Sequence, residues 1–590
     1  MVKQKRRLAL CWVGAWMFLA GAHLSEIAEA KTYQPNATQQ ASAAYEGPTS
    51  IQFPIHAKHG MVVSEQALAS QIGLDILKKG GNAVDAAIAV AFSLAVVLPS
   101  AGNLGGGGFM MLYHDSPRKI TAIDFREVAP HSVEKDTFVN ASTGKVIDGR
   151  SIYTPYASGV PGTVAGLEYA WKKYGKLPWA TLIAPAIKLA DKGFRVTRVF
   201  SKTLNASQMH LGRWPATKKI FFPGGRLLQE GDLFVQKDLA QSLRLIAKEG
   251  AKAFYQGKIA DKIAAAMRPS NWIDKKDLAN YRVIERQPIK GTYKGYEVVT
   301  MPPPSSGGVH LLEILNLLER WPLAKWGVNS ANTIHYMAEA SKLAYADRAV
   351  YLGDPGFVHV PVKGLLSKSY ADVQAGKIRP TASAASTISA GNPMGYERDE
   401  TTHFSVVDKD KNAVSMTYTL NGNFGSGLVA DGTGILLNNE MDDFALQPGT
   451  LNLYGLSGGK ANAVQPGKRP LSSMTPTFVL KNNQLYLVTG SPGGARIITT
   501  VLQVILNDIE FHLNPAEAVA LPRVHHQGIP EELRVEKALN PDTVRLLEQK
   551  GHRVVVKPTM GRSQSIRINE KGELEGASDS RDPDGLAVGY

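Results

Sequence analysis

Cysteine is almost absent from this 590-residue chain, which contains only Cys11. That residue lies within residues 1–30, a segment that we expect to be removed from the mature protein. A mature chain without a thiol can form no disulfide, and it has neither a cysteine nucleophile nor a cysteine-ligated metal site. Covalent chemistry would have to use another side chain.

Long apolar runs are also scarce. Beyond residue 30 the longest is 86–98, which ends at a proline and predicts a buried helix. An earlier run, 8–22, follows a basic start and precedes Ala-Glu-Ala at 28–30, the pattern of a secretory signal peptide. It is shorter than the ~20 residues that a spanning helix needs, although an uncleaved membrane anchor is the alternative. We therefore predict a periplasmic or secreted protein that starts near Lys31, with no membrane anchor after signal removal.

The charge is positive but not concentrated. The formal net charge is +14, and the basic residues are scattered rather than clustered with aromatic ones. This distribution suits anionic small substrates or anionic surfaces, and we expect no nucleic-acid partner. With 44% hydrophobic residues the chain can bury a large core.

The composition changes sharply at residue 400. Residues 374–400 lose the apolar periodicity and are rich in Ala, Ser, Thr and Gly, which predicts a flexible segment. Beyond it, apolar and polar residues alternate on both sides of a turn at 408–412, which predicts a β-hairpin. The period of two gathers Thr401, Thr419 and Asn421 at one end of this hairpin. Such a polar face either is exposed to solvent or serves chemistry.

Three other stretches can be interpreted in two ways each. The four glycines at 105–108 indicate a close approach of the backbone, either to another strand or to a ligand. Arg126 follows a predicted strand, as a surface ion-pair partner or a binding residue would. The acidic cluster at 440–443 could bind an ammonium group or a divalent cation in a basic protein.

A glycine-rich turn at 490–494 separates a predicted strand from a long apolar helix. Free backbone N–H groups there could stabilise an oxyanion, although a generic turn has the same pattern. The Gly-Leu-Ser-Gly-Gly sequence at 455–459 matches a nucleophile-elbow pattern, but no apolar strand precedes it. The adjacent His525 and His526 would point apart on a strand and have no third ligand nearby in sequence, so no metal site is expected.

Five segments taken together resemble the γ-glutamyltransferases of secreted bacterial type. They are Asp-Phe-Arg-Glu at 124–127, Thr-Thr-His at 401–403, Met-Asp-Asp-Phe at 441–444, Arg-Pro-Leu-Ser-Ser-Met at 469–474 and Gly-Ser-Pro-Gly-Gly at 490–494. The resemblance runs from about residue 50 to residue 590. It implies an α+β fold, the four-layer αββα sandwich of the N-terminal-nucleophile hydrolases.

The resemblance also implies self-cleavage between Glu400 and Thr401. The products would be a large subunit, residues 31–400, and a small catalytic subunit, residues 401–590, which stay together as a heterodimer. Thr401 would become the N-terminal nucleophile, activated by its own α-amino group.

Site roles follow from the same resemblance. Thr419 would hydrogen-bond the nucleophile, and the N–H groups of Gly493 and Gly494 would stabilise the oxyanion. The α-carboxylate of the substrate would bind Arg126, Ser472 and Ser473, and its α-ammonium Asn421, Glu440 and Asp443. Tyr454 would close a lid over this pocket. Position 440 is Glu or Gln within the family, which leaves donor specificity open.

The implied reaction is the breakage of the γ-glutamyl amide bond of glutathione and related compounds, with transfer to water or to an amino acid or dipeptide acceptor. No cofactor is expected. One alternative is a related acylase that acts on glutaryl β-lactams, although a glutaryl group has no ammonium for Glu440 and Asp443 to bind. The other is an unprocessed binding protein of the cell envelope.

Overall fold

Two antiparallel β-sheets packed face to face form the centre of the protein, in a computed structural model that describes residues 50–396 and 407–590. The larger sheet has seven strands, in the spatial order Ile55–Ala57, Leu574–Ser578, Gln564–Ile568, Gln484–Gly490, Thr477–Lys481, Tyr296–Thr300 and Ile289–Tyr293. Within the described residues the smaller sheet has four strands, in the order Ala413–Thr419, Gly107–His114, Lys119–Phe125 and Ile284–Arg286. The buried rings of Tyr113 and Phe478, one from each sheet, meet edge to face with centroids 5.8 Å apart.

Helices cover the outer face of each sheet. Gly307–Leu318 and Ile497–Ile509 pack against the seven-stranded sheet, with Ala331–Tyr351 alongside. Ala83–Val97 and Thr163–Tyr174 pack against the four-stranded sheet, and Trp179–Lys192 lies against Ala83–Val97. The layers therefore follow the order αββα, as the family resemblance implies.

Further helices and small sheets surround these layers. The other helices are Ala67–Lys78, Arg150–Tyr153, Arg198–Ala206, Gln208–Leu211, Pro215–Phe221, Lys237–Glu249, Lys252–Tyr255, Lys258–Met267, Lys275–Asn280, Leu323–Trp326, Val362–Leu365, Lys368–Ala375, Pro515–Ala520 and Pro541–Gln549. Small sheets are formed by Met61–Ser64 with Leu586–Gly589, Phe194–Arg195 with Leu233–Phe234, Val429–Ala430 with Ile435–Leu436, and Val524–His525 with Leu533–Glu536 and Val554–Lys557.

The buried helix predicted after residue 85 is Ala83–Val97. Asn82 caps it, because its side chain accepts from the backbone N–H of Asp85 while Asp85 accepts from that of Asn82. Nearly every residue of this helix is buried, which agrees with its apolar sequence. No helix in the described part of the chain is both long and apolar enough to cross a membrane.

The glycine run at 105–108 serves packing. A Cβ atom on Gly106 would lie 2.0 Å from the carbonyl oxygen of Thr419, and one on Gly108 would lie 2.5 Å from that of Thr417. The start of strand Gly107–His114 can therefore pair closely with the end of Ala413–Thr419 only because side chains are missing there. Of the two interpretations of this run, the close approach to another strand is the one observed.

The segment between Ala375 and residue 396 contains only two short 3₁₀ turns, as the loss of periodicity predicts. Its backbone is nevertheless held to Ala331–Tyr351. His335 Nε2 donates to the Arg379 carbonyl at 2.7 Å, and Tyr351 Oη donates to the Gly391 carbonyl at 2.7 Å. The flexibility of 374–400 stays a prediction, and residues 397–400 lie outside the described part of the chain.

Candidate functional site

One cavity between the two sheets brings together the predicted site residues that the structure describes. Its wall includes Arg126, Thr419, Asn421, Glu440, Asp443, Tyr454, Ser472, Ser473, Gly493 and Gly494. Glu400 and Thr401, the predicted cleavage site and nucleophile, lie outside the described residues. The segments that meet here are far apart in sequence, so the fold and not local pattern assembles the site.

Arg126, which directly follows the strand Lys119–Phe125, is held in this cavity by several side-chain and backbone contacts. The guanidinium is buried, with 1% of the side chain exposed. Nη2 lies 2.7 Å from Asp443 Oδ2, and Nη1 forms an ion pair with Glu440 Oε1. Nε donates to the carbonyl of Pro470 at 3.2 Å. The interpretation as a surface ion-pair partner is therefore wrong, because Arg126 and Glu440 are buried and only 12% of the Asp443 side chain is exposed.

Three carboxylates surround this one guanidinium. Besides Glu440 and Asp443, the buried Glu127 places Oε2 3.6 Å from Arg126 Nη1. Burial raises the pKa of Glu440 and of Asp443, with Arg126 opposing the shift, and it raises the pKa of Glu127 to about 7. Glu440 Oε2 is buried without a hydrogen-bond partner among the described residues. The cluster has an excess of acceptors and can receive a further cationic group.

The two predicted serines lie on a loop that is anchored beside Arg126. Asp124 accepts from the backbone N–H of Arg126 at 2.9 Å and also pairs with Arg469, which precedes the loop. Although burial acts to raise it, the pKa of Asp124 is lowered because Arg469 and Arg286 stabilise its charge. Ser472 and Ser473 are both buried, and Ser473 Oγ lies 3.5 Å from an Nη atom of Arg348.

The glycine-rich turn leads from Gln484–Gly490 into Ile497–Ile509 through a short 3₁₀ turn at Gly494–Arg496. Gly493 and Gly494 have φ angles of 140° and 59°, which L side chains rarely adopt. A Cβ atom on Gly494 would also lie 2.3 Å from the ring of Tyr454. Glycine is thus required at 494 both by the backbone and by the packed tyrosine.

Tyr454, the residue predicted to act as a lid, lines the cavity and packs against Gly494. Its Oη donates to the backbone carbonyl of Asn421 at 2.5 Å. Asn421 lies two residues beyond the end of the strand Ala413–Thr419, and Oγ1 of the last strand residue, Thr419, accepts from the Asn421 N–H at 2.8 Å. The turn predicted at 408–412 is present, closed by Asp408 N–H donating to the Asn412 carbonyl at 2.7 Å. The first strand of the predicted hairpin lies outside the described residues.

Comparison with known proteins agrees with this geometry. The family model for gamma-glutamyltranspeptidase matches residues 69–589. The chain belongs to the γ-glutamyltranspeptidase family. A glutathione hydrolase proenzyme of Escherichia coli (strain K12) is 52% identical over 540 residues, which are 91% of this chain and 93% of that protein.

Solved structures place this γ-glutamyltranspeptidase family member among related folds. The crystal structure of Helicobacter pylori γ-glutamyltranspeptidase has a TM-score of 0.56 at 45% identity and covers 58% of this chain and 99% of that chain. The cephalosporin acylase from Bacillus halodurans has a TM-score of 0.81 at 32% identity and covers 92% of this chain and 97% of that chain. The expected N-terminal-nucleophile hydrolase fold is confirmed.

Several contacts in this γ-glutamyltranspeptidase family member were not predicted from its sequence. Asp442 accepts from Ser151 Oγ at 2.6 Å and from the backbone N–H of Leu453 at 2.7 Å. Arg348, from the helix Ala331–Tyr351, donates to Ser473 Oγ. Asn452 donates to Asp443. Local periodicity carries no signal for these pairs; only the position of Asp442 beside the predicted Asp443 indicated a role.

Proposed function

We propose that the protein is a self-cleaving glutathione hydrolase and γ-glutamyltransferase. The observation that carries the proposal is the buried cluster of Arg126 with Glu440 and Asp443. It offers a cation for an α-carboxylate and two acids for an α-ammonium group within one cavity. A γ-glutamyl compound presents both groups on one carbon, and its γ-carbonyl would extend away from them.

The ion pairs within this cluster support the binding of a zwitterion. An incoming carboxylate would take over part of the pairing of Arg126, and an incoming ammonium would take over part of the pairing of Glu440 and Asp443. Glu440 Oε2, buried and unpartnered among the described residues, is the first acceptor available to the ammonium. The exchange gives each charge of the incoming zwitterion a partner of opposite sign.

Activation would start at the bond between Glu400 and Thr401. Thr401 Oγ attacks the Glu400 carbonyl carbon, the C–N bond breaks, and the chain is held by an ester. Water then hydrolyses this ester, which leaves a carboxylate on Glu400 and a free α-amino group on Thr401. Large and small subunits of residues 31–400 and 401–590 result, after removal of a signal peptide at 1–30.

In the processed enzyme Thr401 Oγ would attack the γ-carbonyl carbon of the donor. The α-amino group takes the hydroxyl proton, Thr419 Oγ1 orients the nucleophile, and the N–H groups of Gly493 and Gly494 receive the oxyanion. The leaving amine departs with a proton, and the γ-glutamyl group remains as an ester on Thr401. Water releases glutamate from it, whereas the amine of an amino acid or dipeptide gives a new γ-glutamyl amide.

Ser472, Ser473 and Asn421 complete the proposed head-group pocket. Ser472 and Ser473 line the cavity beside Arg126, on the side where the carboxylate would bind. Asn421 is held by two contacts, Nδ2 donating to the Asn439 carbonyl at 3.0 Å and its own carbonyl accepting from Tyr454. Through that second contact, we infer, the pocket and its lid are joined. The periplasmic or secreted location belongs to the same proposal.

Product analysis with glutathione, with and without a dipeptide acceptor such as glycylglycine, tests this function. We expect glutamate in the absence of the acceptor and a γ-glutamyl dipeptide in its presence. A parallel assay compares γ-glutamyl-p-nitroanilide with glutaryl-p-nitroanilide, which differ only in the α-amino group. Faster release from the glutaryl compound would replace the proposal by an acylase activity, the activity for which the Bacillus halodurans protein is named.

A further inference from the structure

The tip of the lid is attached directly to an acid of the head-group pocket. We define the lid loop as residues 445–463, closed at its base by a bridge between Ala445 and Ala463. Near its tip a second bridge joins Leu451 to Ser457 and encloses Asn452 and Tyr454. The tip is therefore a small closed turn, and what holds this turn decides where the tyrosine lies.

Asn452 makes four hydrogen bonds within this turn. Its Oδ1 accepts from the backbone N–H groups of Tyr454 and Leu456, each at 3.0 Å. Its backbone N–H donates to the Leu456 carbonyl at 3.0 Å, and its carbonyl accepts from Gly455 N–H at 2.8 Å. One side-chain oxygen thus fixes the backbone of the lid tyrosine, an arrangement that a short polar side chain favours in turns.

The nitrogen of the same Asn452 amide contacts the head-group pocket. Asn452 Nδ2 donates to Asp443 Oδ1 at 3.0 Å, while Asp443 Oδ2 accepts from Arg126 at 2.7 Å. One carboxylate oxygen of Asp443 therefore accepts from the lid loop, and the other accepts from the guanidinium of Arg126. The chain of contacts runs from Arg126 through Asp443 and Asn452 to the backbone of Tyr454.

We propose that Asn452 is a positioning residue that couples occupancy of the α-ammonium pocket to closure of the lid. The inference rests on the proposed function and deepens it. An ammonium group bound at Asp443 fixes that carboxylate, the carboxylate fixes the Asn452 amide, and the amide holds Tyr454 over Gly494. A ligand with the γ-acyl chain and the carboxylate but no α-ammonium takes over part of the pairing of Arg126 and brings no new partner for Asp443, so Asp443 is held less firmly and the lid closes less completely.

Asn452→Asp is the sharpest variant, because it keeps the size and the acceptor oxygen but replaces the donor to Asp443 by a second carboxylate. Gln447→Glu is the matched control: it makes the same chemical change in the same loop, where Gln447 Nε2 donates to the Gly144 carbonyl at an exposed site. Asn452→Ser replaces the amide that donates to Asp443 by a shorter hydroxyl and adds no charge, so it keeps the test decisive if Asn452→Asp does not fold.

The first readout is hydrogen–deuterium exchange of the lid loop in the processed protein. In the wild type we expect L-glutamate at saturation to slow exchange in residues 446–459 more than glutarate does. In Asn452→Asp and Asn452→Ser this difference should disappear, and in Gln447→Glu it should persist. Equal protection of the wild type by the two ligands, or an unchanged difference in both Asn452 variants, overturns the coupling.

The second readout is kinetic. We expect the KM for γ-glutamyl-p-nitroanilide to rise by about tenfold in the Asn452 variants, with kcat within about threefold of the wild type, because the lost contact holds ground state and transition state alike. A KM equal to that of the wild type contradicts the proposal, and so does an equal rise in Gln447→Glu. Failure of the proposed function is recognised separately, since the wild type would then release no nitroaniline from this donor.

Discussion

Asp443 is held on two sides, by Arg126 and by Asn452, so its carboxylate has a defined position in the pocket. Asp443→Asn keeps the shape and removes the charge that an α-ammonium group would meet. We expect the KM for γ-glutamyl-p-nitroanilide to rise by roughly 10- to 100-fold, the range of a lost charge-assisted hydrogen bond, while self-cleavage still occurs. Steady-state kinetics with this donor measure the change in KM.

The control for this variant is Asp372→Asn. Asp372 is exposed and pairs with Arg320 on the surface, so the same chemical change there should leave KM unaltered. If Asp443→Asn binds donor as well as the control does, the ammonium pocket has been assigned to the wrong acid.

Asp442, the neighbour of Asp443, predicts a pH dependence of stability. Burial raises its pKa to about 6 from an ordinary value of 3.8. The folded chain therefore binds this proton more tightly than the unfolded chain, and the free energy of unfolding should fall as pH rises from about 4 to about 6. The loss levels off above pH 6 at about 3 kcal/mol.

Asp442→Asn removes this titration. Urea unfolding of the wild type and the variant at several pH values should show the wild type losing stability relative to the variant between about pH 4 and pH 6.5. A difference between the two proteins that stays constant over this range contradicts the predicted protonation of Asp442.

At the scale of elements, the turn at 490–494 and the lid loop constrain each other. Gly494→Ala puts a Cβ atom against the ring of Tyr454 and strains a backbone with φ of 59°. We expect kcat/KM for γ-glutamyl-p-nitroanilide to fall by at least about tenfold, because either the lid or the proposed oxyanion site must shift.

Gly449→Ala is the control for Gly494→Ala, because it introduces backbone strain without a steric contact. Gly449 lies in the lid loop with φ of 82°, but a Cβ atom there would meet nothing within 4 Å. We expect a stability loss of about 1 kcal/mol, since only the backbone conformation is unfavourable, with kcat/KM close to the wild type. A similar loss of kcat/KM in both variants would show that Tyr454 packing on Gly494 does not matter.

The sequence predicted elements better than contacts between them. The helix Ala83–Val97, the strand Ala413–Thr419 and the turn at 408–412 follow from apolar periodicity and turn residues, which are local signals. The ion pairs of Arg126 join residues 314 and 317 positions away, and no local pattern specifies such pairs. Only the family resemblance placed Arg126, Glu440 and Asp443 in one pocket beforehand.

The contacts of the lid loop also could not be predicted from local sequence patterns. Tyr454 was expected by resemblance, but the role of Asn452 depends on its amide pointing both inward to Asp443 and back to the turn. A single Asn in a glycine-rich loop predicts a turn and nothing more. The direction of a side chain between two elements is set by tertiary packing.

For the whole molecule, the proposed cleavage would separate the chain between strands that pair with each other. Ala413–Thr419 pairs with Gly107–His114, and Thr477–Lys481 pairs with Tyr296–Thr300. Each sheet thus combines strands from both sides of residue 400. Breaking the subunits apart would expose the edges of both sheets and the core between them.

We therefore expect the cleaved fragments to elute together from a gel-filtration column in native buffer, in a volume no larger than that of an uncleaved Thr401→Ala variant. They should separate only in denaturant. Elution of a free small fragment without denaturant would contradict the shared sheets.

The proposed activity depends most on one bond, between Glu400 and Thr401. N-terminal sequencing of the smaller fragment of the purified wild-type protein, with Thr401→Ala run beside it, tests that bond most directly. We expect the fragment to begin Thr-Thr-His, and we expect Thr401→Ala to remain one chain that releases no product from γ-glutamyl-p-nitroanilide. A fragment that begins elsewhere, or an uncleaved chain that is fully active, would contradict Thr401 as the nucleophile.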